Sequence, residues 1–460
     1  MVLKIHNTLS GKTEPFLPLK KGEIGMYNCG PTVYDRAHIG NLRSYVFADI
    51  VRRTFEYFGY HVHQVINITD IGHLSGDGDA GDDKMTTALK REGLPMTLEA
   101  MKTVGDKYFE AFVADLKSMN IELPKEFPRA SDHIEGNIEI IGLLDEKGYI
   151  YKTSDGMYYD TSKFPNYGKL GNIDIASLRA GARVEVNSEK RDPTDFALWK
   201  FNNEIGWDSP WGKGFPGWHI ECSTMSRKYL GQPFDIHTGG IDHIPVHHNN
   251  EIAQSEGAFG VPLANYWLHN EFLNVADGKM AKSQGNFVTL ETLRDETISP
   301  IAYRYWLLTA HYRSPINFSL EAVRASQNAL IRLMSHICNI TEAGNIVPSY
   351  KEQFDMYISD DFDTPKAIAV VWDIMKDENV SLGDKRTTIL DFDRVLGLGL
   401  DAIKNTDEPE IPAEIVALAE AREVARNSKD WKQADALRKE MESRGYSIRD
   451  DGSGYKILTI

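Results

Sequence analysis

The chain has 460 residues, of which 42% are hydrophobic and 26% charged, and a formal net charge of −16. No apolar run approaches the roughly 20 residues of a membrane-spanning helix, and the first residues lack the basic-then-apolar order of a secretory signal. Three cysteines are too few for a disulfide framework. We therefore expect about three domains, the reducing cytoplasm and no membrane partner.

The first elements predict a crossover unit. An apolar run, Ile24 to Tyr27, is followed by a proline-containing loop, by a helical pattern that begins near His38 to Asn41, and by a second apolar run, Val62 to Ile68. Strand, helix and parallel strand in this order form a right-handed unit. The helix N-terminus offers backbone N–H groups and a positive dipole to a phosphate.

Residues 76–81 match the dinucleotide fingerprint G-x-G-x-x-G, but we interpret them as a loop. Their aspartates would repel a pyrophosphate, and no buried strand precedes them. The sequence contains no G-x-x-x-x-G-K-[ST] phosphate loop either. Any ATP site must therefore be built from other residues.

The rest of the chain alternates between helical and strand patterns. Helical periodicity covers Thr97 to Leu116 and Ser131 to Lys147, and short strand patterns at 148–151, 156–159 and 183–186 indicate an insertion into the α/β domain. The α/β pattern resumes at 231–237. From about Leu320 onward the patterns are almost wholly helical, with a polar linker from Asn405 to Pro412.

A second candidate for phosphate chemistry lies at residues 279–283, which read Lys-Met-Ala-Lys-Ser. Two lysines stand three residues apart, and the turn-forming residues that follow predict a mobile loop. Mobile lysines suit a leaving pyrophosphate. Together with His38 to Asn41, this stretch predicts an ATP site.

The metal candidates are less clear from spacing alone. Cys29 and Cys222 form no C-x-x-C pair. Considered one at a time, each cysteine is typical of a small buried apolar residue. His247 and Glu251 stand four apart and would share one face of a helix. With two thiolates they could form a four-ligand zinc site, or they could simply be the polar first turn of a helix.

Residues 411–460 differ in charge from the acidic body of the chain. They carry nine basic and nine acidic side chains, and an aromatic residue, Trp431, lies among Arg426, Lys429 and Lys432. This composition is compatible with a nucleic-acid partner held at a few places. The alternative is a solvated helix with a buried tryptophan.

These stretches together resemble the cysteinyl-tRNA synthetases, a family of class I aminoacyl-tRNA synthetases, nearly end to end. The matching stretches are residues 26–35, 67–70, 180–184, 210–212, 217–223, 234–242, 247–255 and 279–286, and, near the C-terminus, 425–431, 434–438 and 449–452.

The resemblance implies an α/β fold, with a Rossmann-like parallel-sheet catalytic domain, an inserted connective domain, a helical bundle and a small C-terminal anticodon-binding domain. The expected boundaries are 1–120 and 206–274 for the two catalytic halves, 121–205 for the insertion, 275–318 for the lysine-loop and stem-contact region, 319–403 for the bundle and 411–460 for the anticodon-binding domain.

The resemblance also implies an activity. Cysteine would react with ATP to give cysteinyl-adenylate and pyrophosphate, and the cysteinyl group would then pass to the terminal adenosine of tRNA(Cys). One Zn²⁺ per chain and Mg²⁺ with the ATP are the implied cofactors, and a monomer is expected. Zinc favours a thiolate over a hydroxyl, which would let the enzyme reject serine without an editing site.

The site residues carried over from the family fall into four groups. The ATP site would contain His38, Gly40, Asn41, Gly239, Gly240, Asp242, Lys279 and Lys282, of which His38, Asn41 and the two lysines are catalytic. The zinc ligands would be Cys29, Cys222, His247 and Glu251. Cys29, Thr69 and Trp218 would bind the amino acid, although Trp218 could also be ordinary core packing. The tRNA contacts would be Arg426, Trp431, Asp435 and Asp450.

Two positions depart from the family pattern. Asn41 stands where a second histidine is usual, and Ala281 stands where a serine is usual. An amide still donates a hydrogen bond to a phosphate but carries no charge. The contribution of Asn41 to the phosphate contacts is therefore open.

Two other functions are alternatives to the predicted synthetase activity. One is the related cysteine ligase of mycothiol synthesis, which forms an amide on an amino sugar and lacks the anticodon domain, so residues 411–460 argue against it. The other is a non-catalytic relative with a decayed ATP site, against which His38, Lys279 and Lys282 argue.

Overall fold

The computed structural model describes residues 2–71, 84–173, 188–275, 287–401, 412–444, 446–451 and 454–459. The chain divides into two compact units, Met1–Gln327 with Glu342–Leu398, and Asn328–Thr341 with Gly399–Ile460. None of the helices within the described ranges combines the length and apolar character needed to cross a membrane.

A four-stranded parallel sheet forms the centre of the first unit. Its strands lie in the order Ala264–Asn270, Phe234–Gly240, Glu23–Asn28 and His61–Ile66. The helix Ile39–Tyr57 connects the last two strands and buries Leu42, Val46 and Ile50. The predicted crossover unit and the α/β fold class are confirmed.

The order of the strands locates a crevice. The chain passes from Glu23–Asn28 to one neighbour, His61–Ile66, and later returns to the other neighbour, Phe234–Gly240. The connections that leave these two central strands therefore run to opposite sides of the sheet, so the topological switch point lies between Glu23–Asn28 and Phe234–Gly240. In open parallel sheets, ligands bind at the carboxyl ends of the strands at such a switch point.

The predicted insertion contains a separate antiparallel sheet. Its strands are, in order, Ile150–Lys152, Gly156–Tyr159, Phe196–Phe201 and Gly214–Pro216. The rings of Tyr159 and Phe196 stack with centroids 5.0 Å apart. The last strand lies beyond residue 205, where we expected the insertion to end, and the strand pattern at 183–186 lies outside the described residues.

Among the remaining elements, Leu98–Ser118, Ile134–Glu146 and the helices after Leu320 agree with the helical patterns, whereas Lys84–Glu92, Trp218–Leu230, Leu290–Asp295 and Pro300–Leu308 were not predicted. In the first unit the helices are Lys84–Glu92, Leu98–Ser118, Ile134–Glu146, Trp218–Leu230, Asn249–Phe259, Leu290–Asp295, Pro300–Leu308, Pro348–Ile358, Thr364–Lys376 and Leu382–Leu396, and the helix Leu320–Cys338 spans the boundary of the units. Short strand pairs are Lys4–Asn7 with Lys12–Pro15 and Leu273–Asn274 with Ile316–Asn317. Three-residue to five-residue helical turns occur at Ala130–His133, Thr161–Lys163, Ile241–His243 and Ile244–His248.

The second unit begins with helices and ends in strands. It has the helices Ala413–Asn427 and Trp431–Ser443, followed by an antiparallel hairpin, Tyr446–Asp451 with Gly454–Thr459, that the helical patterns did not predict. Ile415, Ala419, Met441 and Ile448 form its core. The predicted linker lies outside the described residues except for Pro412.

Candidate metal centre and nucleotide site

Two cysteines from distant parts of the sequence meet at the carboxyl edge of the parallel sheet. Cys29 directly follows the strand Glu23–Asn28, and Cys222 lies near the start of the helix Trp218–Leu230. One potential ligand atom from each of Cys29, Cys222, His247 and Glu251 lies within 4.8 Å of the other three. The structure therefore brings together all four residues expected to bind zinc.

These four residues fit a metal ion by their chemistry. His247 Nε2 lies 2.9 Å from Glu251 Oε1, yet this buried nitrogen has no partner in hydrogen-bond geometry. Cys222, His247 and Glu251 are at most 2% exposed, whereas Cys29 is half-buried. Two sulfurs, one imidazole and one carboxylate converging in a buried place form a donor set that suits Zn²⁺.

The ionisable side chains of this group shift one another's pKa values. Burial alone would raise the pKa of Glu251, but His237 and His247 lower it to about 2. Burial likewise opposes charge on His247, but Glu251 raises the pKa of that imidazole to about 10. A hydrogen bond from Cys29 lowers the pKa of the Cys222 thiol to about 6. At neutral pH a carboxylate and one thiolate therefore lie beside a protonated His247, and burial raises the pKa of the Cys29 thiol. A metal ion bound by these residues would displace the protons of His247 and Cys29.

A second group of ligands overlaps with the first. Cys29 and Glu251 also lie within 4.8 Å of ligand atoms of His237 and His248. His237 Nε2 is 2.9 Å from Glu251 Oε2, and His248 Nε2 is 3.3 Å from Cys29 Sγ. Imidazoles that hydrogen-bond to the ligands of a metal orient those ligands.

The sequence did not predict this surrounding layer of histidines. His248 Nδ1 lies 2.8 Å from His269 Nε2, and His219 Nδ1 lies 2.9 Å from His247 Nδ1. His237 and His269 come from neighbouring parallel strands. His237 and His269 lie in strands and His219 and His248 in helical segments, so no common periodicity could have indicated the four.

Of the three residues expected to bind the amino acid, Cys29 belongs to the metal group, and Trp218 and Thr69 lie beside it. The Trp218 ring packs on the His247 ring with centroids 4.4 Å apart, and Trp218 is only half-buried. Thr69 follows the strand His61–Ile66 and donates a hydrogen bond to Glu221 Oε2 at 3.0 Å. Glu221 is buried and directly precedes Cys222. Trp218 is therefore not an ordinary core residue.

His38 and Asn41 lie at the N-terminus of the helix Ile39–Tyr57. His38 is the N-cap residue, and its Nδ1 accepts a hydrogen bond from the backbone N–H of Asn41 at 3.1 Å. In the neutral ring this bond places the proton on Nε2, which then acts as a donor. The Asn41 side chain is exposed. Both residues are placed where a helix N-terminus can bind a phosphate.

Lys279 and Lys282 lie outside the described residues. The chain that follows them is described, and it contacts the same helix N-terminus. The Phe287 ring lies edge-on to His38 with centroids 5.4 Å apart, and the backbone N–H of Ile39 donates to Val288 O at 2.9 Å.

Gly239, Gly240 and Asp242 lie at the carboxyl end of the strand Phe234–Gly240, on one side of the switch point. A Cβ atom on Gly239 would be only 2.7 Å from His243 Nδ1 and from His248 Cε1. Glycine is therefore required for the close packing of the backbone there. Asp242 is exposed in the turn that follows.

The expected tRNA contacts lie in the second unit, in two different environments. Trp431 is 60% exposed at the start of the helix Trp431–Ser443, which excludes the buried alternative, and Asp435 is also exposed. Asp450 instead forms ion pairs with Arg426 and with Arg422, whose Nη1 is 2.8 Å from Asp450 Oδ1. The role of Arg426 and Asp450 in binding RNA stays a prediction.

Comparison with known proteins identifies the family. The family described as tRNA synthetases class I (C) catalytic domain matches residues 15–328, and the family described as cysteinyl-tRNA ligase anticodon binding domain matches residues 408–456. A Burkholderia lata protein named Cysteine--tRNA ligase 1 is 46% identical over 464 residues, which cover 100% of this chain and 97% of the relative. The chain belongs to the cysteinyl-tRNA synthetase family.

A second relative supports this cysteinyl-tRNA synthetase assignment. A Treponema denticola protein named Cysteine--tRNA ligase is 42% identical over 487 residues, which cover 98% of each chain. The resemblance drawn from the motifs is confirmed.

Solved structures of other synthetases share the fold. The Mycobacterium tuberculosis methionyl-tRNA synthetase in complex with methionyl-adenylate gives a TM-score of 0.56 at 16% identity over 90% of this chain and 96% of that one. The LeuRS of Agrobacterium radiobacter K84, in a ternary complex, gives a TM-score of 0.56 at 11% identity over 84% of each chain. At such low identity the likeness extends only to the fold.

Proposed function

We propose that this chain is a cysteine–tRNA ligase that activates cysteine with ATP and transfers it to tRNA(Cys). The observation that carries the proposal is the convergence of Cys29, Cys222, His247 and Glu251 beside the switch point of the parallel sheet. A thiol-selective group at one wall of a nucleotide crevice is the arrangement that cysteine activation requires.

In the first step, the carboxylate of cysteine attacks the α-phosphorus of ATP, and the bond to pyrophosphate breaks. No protein nucleophile is needed, so the residues act by holding the reactants in line and by donating to the phosphates. His38 would donate through Nε2 and Asn41 through its amide, while Lys279 and Lys282 would neutralise the leaving pyrophosphate. Gly40, Gly239 and Gly240 would admit the adenosine, with Asp242 near its ribose.

In the second step, a ribose hydroxyl of the terminal adenosine of the tRNA attacks the carbonyl carbon of the adenylate, so that an ester forms, the bond to the phosphate breaks and AMP leaves. Cys29, Cys222, His247 and Glu251 would hold one Zn²⁺, whose preference for a thiolate over a hydroxyl would supply discrimination against serine. Trp218 and Thr69 would close the pocket around the amino acid. Mg²⁺ would accompany the ATP, and no residue of the chain is assigned to it.

We also propose that the second unit reads the tRNA through exposed groups such as Trp431, on which an unpaired base can stack. Action in the cytoplasm as a monomer stays a prediction from the sequence. Sedimentation of the purified chain with and without tRNA would test the oligomeric state.

The deciding experiment is ATP–pyrophosphate exchange with cysteine, serine or alanine, followed by charging of tRNA(Cys) and of an amino-sugar acceptor. We expect exchange with cysteine, little with serine, and charging of the tRNA alone. Absence of cysteine-dependent exchange would contradict the proposal. Exchange accompanied by amide formation on the amino sugar, without tRNA charging, would instead favour the mycothiol-type ligase.

A further inference from the structure

Arg43 is a buried cation in the helix Ile39–Tyr57, close to its N-terminus. The residue is 5% exposed, and burial lowers its pKa to about 10, so that it stays protonated at neutral pH. Its guanidinium donates only to backbone carbonyls among the hydrogen bonds of the described chain. Nη1 donates to Phe272 O at 2.6 Å, and Nη2 donates to Tyr312 O at 3.1 Å and to Ser314 O at 2.6 Å.

The three carbonyls lie in the residues that lead into two paired strands, Phe272 directly before one strand and Tyr312 and Ser314 shortly before the other, and the strand pair is too short to be stable alone. Leu273–Asn274 and Ile316–Asn317 pair over two residues each. The N–H of Ile316 donates to Phe272 O at 3.2 Å, and the N–H of Phe318 donates to Asn274 O at 2.7 Å. Even a full two-stranded pair is marginal in water. Arg43, which shares Phe272 O with Ile316, therefore supplies charge-assisted bonds that the short ladder lacks.

The same helix also binds the backbone on the other side of residues 276–286. Its first residue, Ile39, donates its N–H to Val288 O at 2.9 Å. Phe272 precedes and Val288 follows this stretch of the chain, so the first two turns of the helix hold the flanking backbone at both sides. His38, the cap of this helix, is thereby fixed relative to the two strands.

We propose that Arg43 is a positioning residue for cysteine activation, which holds the strand pair Leu273–Asn274 and Ile316–Asn317 against the N-terminus of the helix Ile39–Tyr57. The inference rests on the proposed function, because it assigns the phosphates of ATP to that N-terminus. Arg43 acts through the backbone and touches no substrate. Misplacing reacting groups by about 1 Å can cost about 100-fold in rate.

The experiment compares Arg43→Lys with a matched control, Arg53→Lys. Lysine keeps the charge, but its compact ammonium cannot reproduce the fork of the guanidinium. Arg53 lies in the same helix, is 8% exposed and donates from Nη2 to a carbonyl, Asn120 O, at 2.8 Å, and, unlike Arg43, also from Nε to a carboxylate, Asp49 Oδ2, at 2.8 Å. The readouts are kcat and KM in ATP–pyrophosphate exchange, zinc content, melting temperature, and hydrogen exchange of the Ile316 and Phe318 amides.

We expect Arg43→Lys to lower kcat of the exchange reaction about 100-fold, with zinc content and KM for cysteine unchanged, and to speed hydrogen exchange at Ile316 and Phe318. Arg53→Lys should lower the melting temperature at most, without these effects. A kcat equal to that of Arg53→Lys, or amides as protected as in the parent, would overturn the inference. A joint loss of zinc, cysteine binding and stability would also overturn it, since Arg43 would then be a general stabiliser.

Two further measurements separate failure of the Arg43 proposal from failure of the variant to fold and from failure of the proposed function. If Arg43→Lys does not fold, Arg43→Gln, whose shorter uncharged amide can bond to fewer carbonyls, is measured by the same readouts against the same expectations. If the parent chain shows no cysteine-dependent exchange, the proposed function fails. The hydrogen exchange of Ile316 and Phe318 then still decides whether Arg43 holds the strands.

Discussion

Cys222 is the residue whose removal tests the metal group most directly. It contributes a buried thiol, and no other thiol of the described chain lies with Cys29, His247 and Glu251. We expect Cys222→Ala to lower bound zinc and to raise KM for cysteine, because the group loses one of its two sulfur ligands. Metal analysis of the purified protein and ATP–pyrophosphate exchange at varied cysteine concentration measure the two effects.

Cys338→Ala is the matched control for this substitution. Cys338 is the remaining cysteine, and it belongs to the other compact unit. Its replacement should leave zinc content and KM for cysteine unchanged. Full zinc content and parental kinetics in Cys222→Ala would refute the assignment of Cys222 as a ligand.

His237 distinguishes the two overlapping ligand groups. We assign zinc to the group with Cys222 and His247, and interpret His237 as a residue that orients Glu251 through the 2.9 Å contact. His237→Gln should therefore retain zinc with an affinity about 10- to 100-fold lower, as is usual when such a supporting residue is changed. Competition with a chromogenic chelator measures the affinity. Loss of zinc as complete as in Cys222→Ala would indicate that His237 and His248, with Cys29 and Glu251, are the zinc ligands instead.

The limits of sequence reasoning are clear at this scale. The four-residue spacing of His247 and Glu251 predicted a shared face, and the 2.9 Å contact between their side chains agrees with it. Spacing could not join the two cysteines, and only the family resemblance did so. The histidines around the group stayed hidden because periodicity reports which face a residue occupies, but not which strand lies next to it.

Among the elements, the helix Ile39–Tyr57 carries the most function. Its periodic apolar residues predicted it, and its N-terminus binds His38, Val288 and, through Arg43, Phe272. His38 has two roles here, since it caps the helix and is expected to donate to a phosphate. Two substitutions can separate these roles.

We expect His38→Asn to keep the helix cap and to lose catalysis. An asparagine side chain accepts from the Asn41 N–H as well as His38 Nδ1 does, so stability should stay near that of the parent. His38→Ala should cost about 1 kcal/mol in the free energy of unfolding. Both should lower kcat of the exchange reaction about 100-fold, the usual effect of losing one donor to a developing charge. Urea unfolding and exchange kinetics measure these effects, and parental activity of His38→Asn would show that the cap alone matters.

Element boundaries were predicted less well where the backbone departs from regular periods. The turn Ile244–His248 has π-helical geometry and precedes the helix Asn249–Phe259, so His247 and Glu251 lie on either side of a junction. Such turns often occur at functional sites. The hairpin strand Tyr446–Asp451 was missed because its sequence, Tyr-Ser-Ile-Arg-Asp-Asp, ends in residues that are depleted in strands.

At the scale of the whole molecule, the arrangement of the strands determines where the chemistry lies. The crossover unit could be predicted, but the position of Phe234–Gly240 beside Glu23–Asn28 could not, because a sequence does not state strand order. That order places Gly239 next to Cys29. The strand patterns at 148–151 and 156–159 predicted two strands of the antiparallel sheet, yet its last strand, Gly214–Pro216, is too short to leave a periodic signal.

The division into two compact units predicts that activation and tRNA recognition can be separated. All the described residues of the proposed zinc and ATP sites belong to the first unit, and Trp431 belongs to the second. Deleting the residues after Pro409 should leave cysteine-dependent exchange near that of the full chain and should lower kcat/KM for tRNA charging at least tenfold, about 1.4 kcal/mol, which is within the range of one lost base-stacking contact.

Trp431→Ala is the milder companion to this deletion. Because the side chain is 60% exposed, its loss should change the melting temperature little while raising KM for tRNA. Charging by the truncated chain at the rate of the full chain would mean that the second unit does not read the tRNA. Impaired charging by the truncated chain, together with parental charging by Trp431→Ala, would place recognition on other residues of that unit, of which exposed Asp435 is the next to substitute.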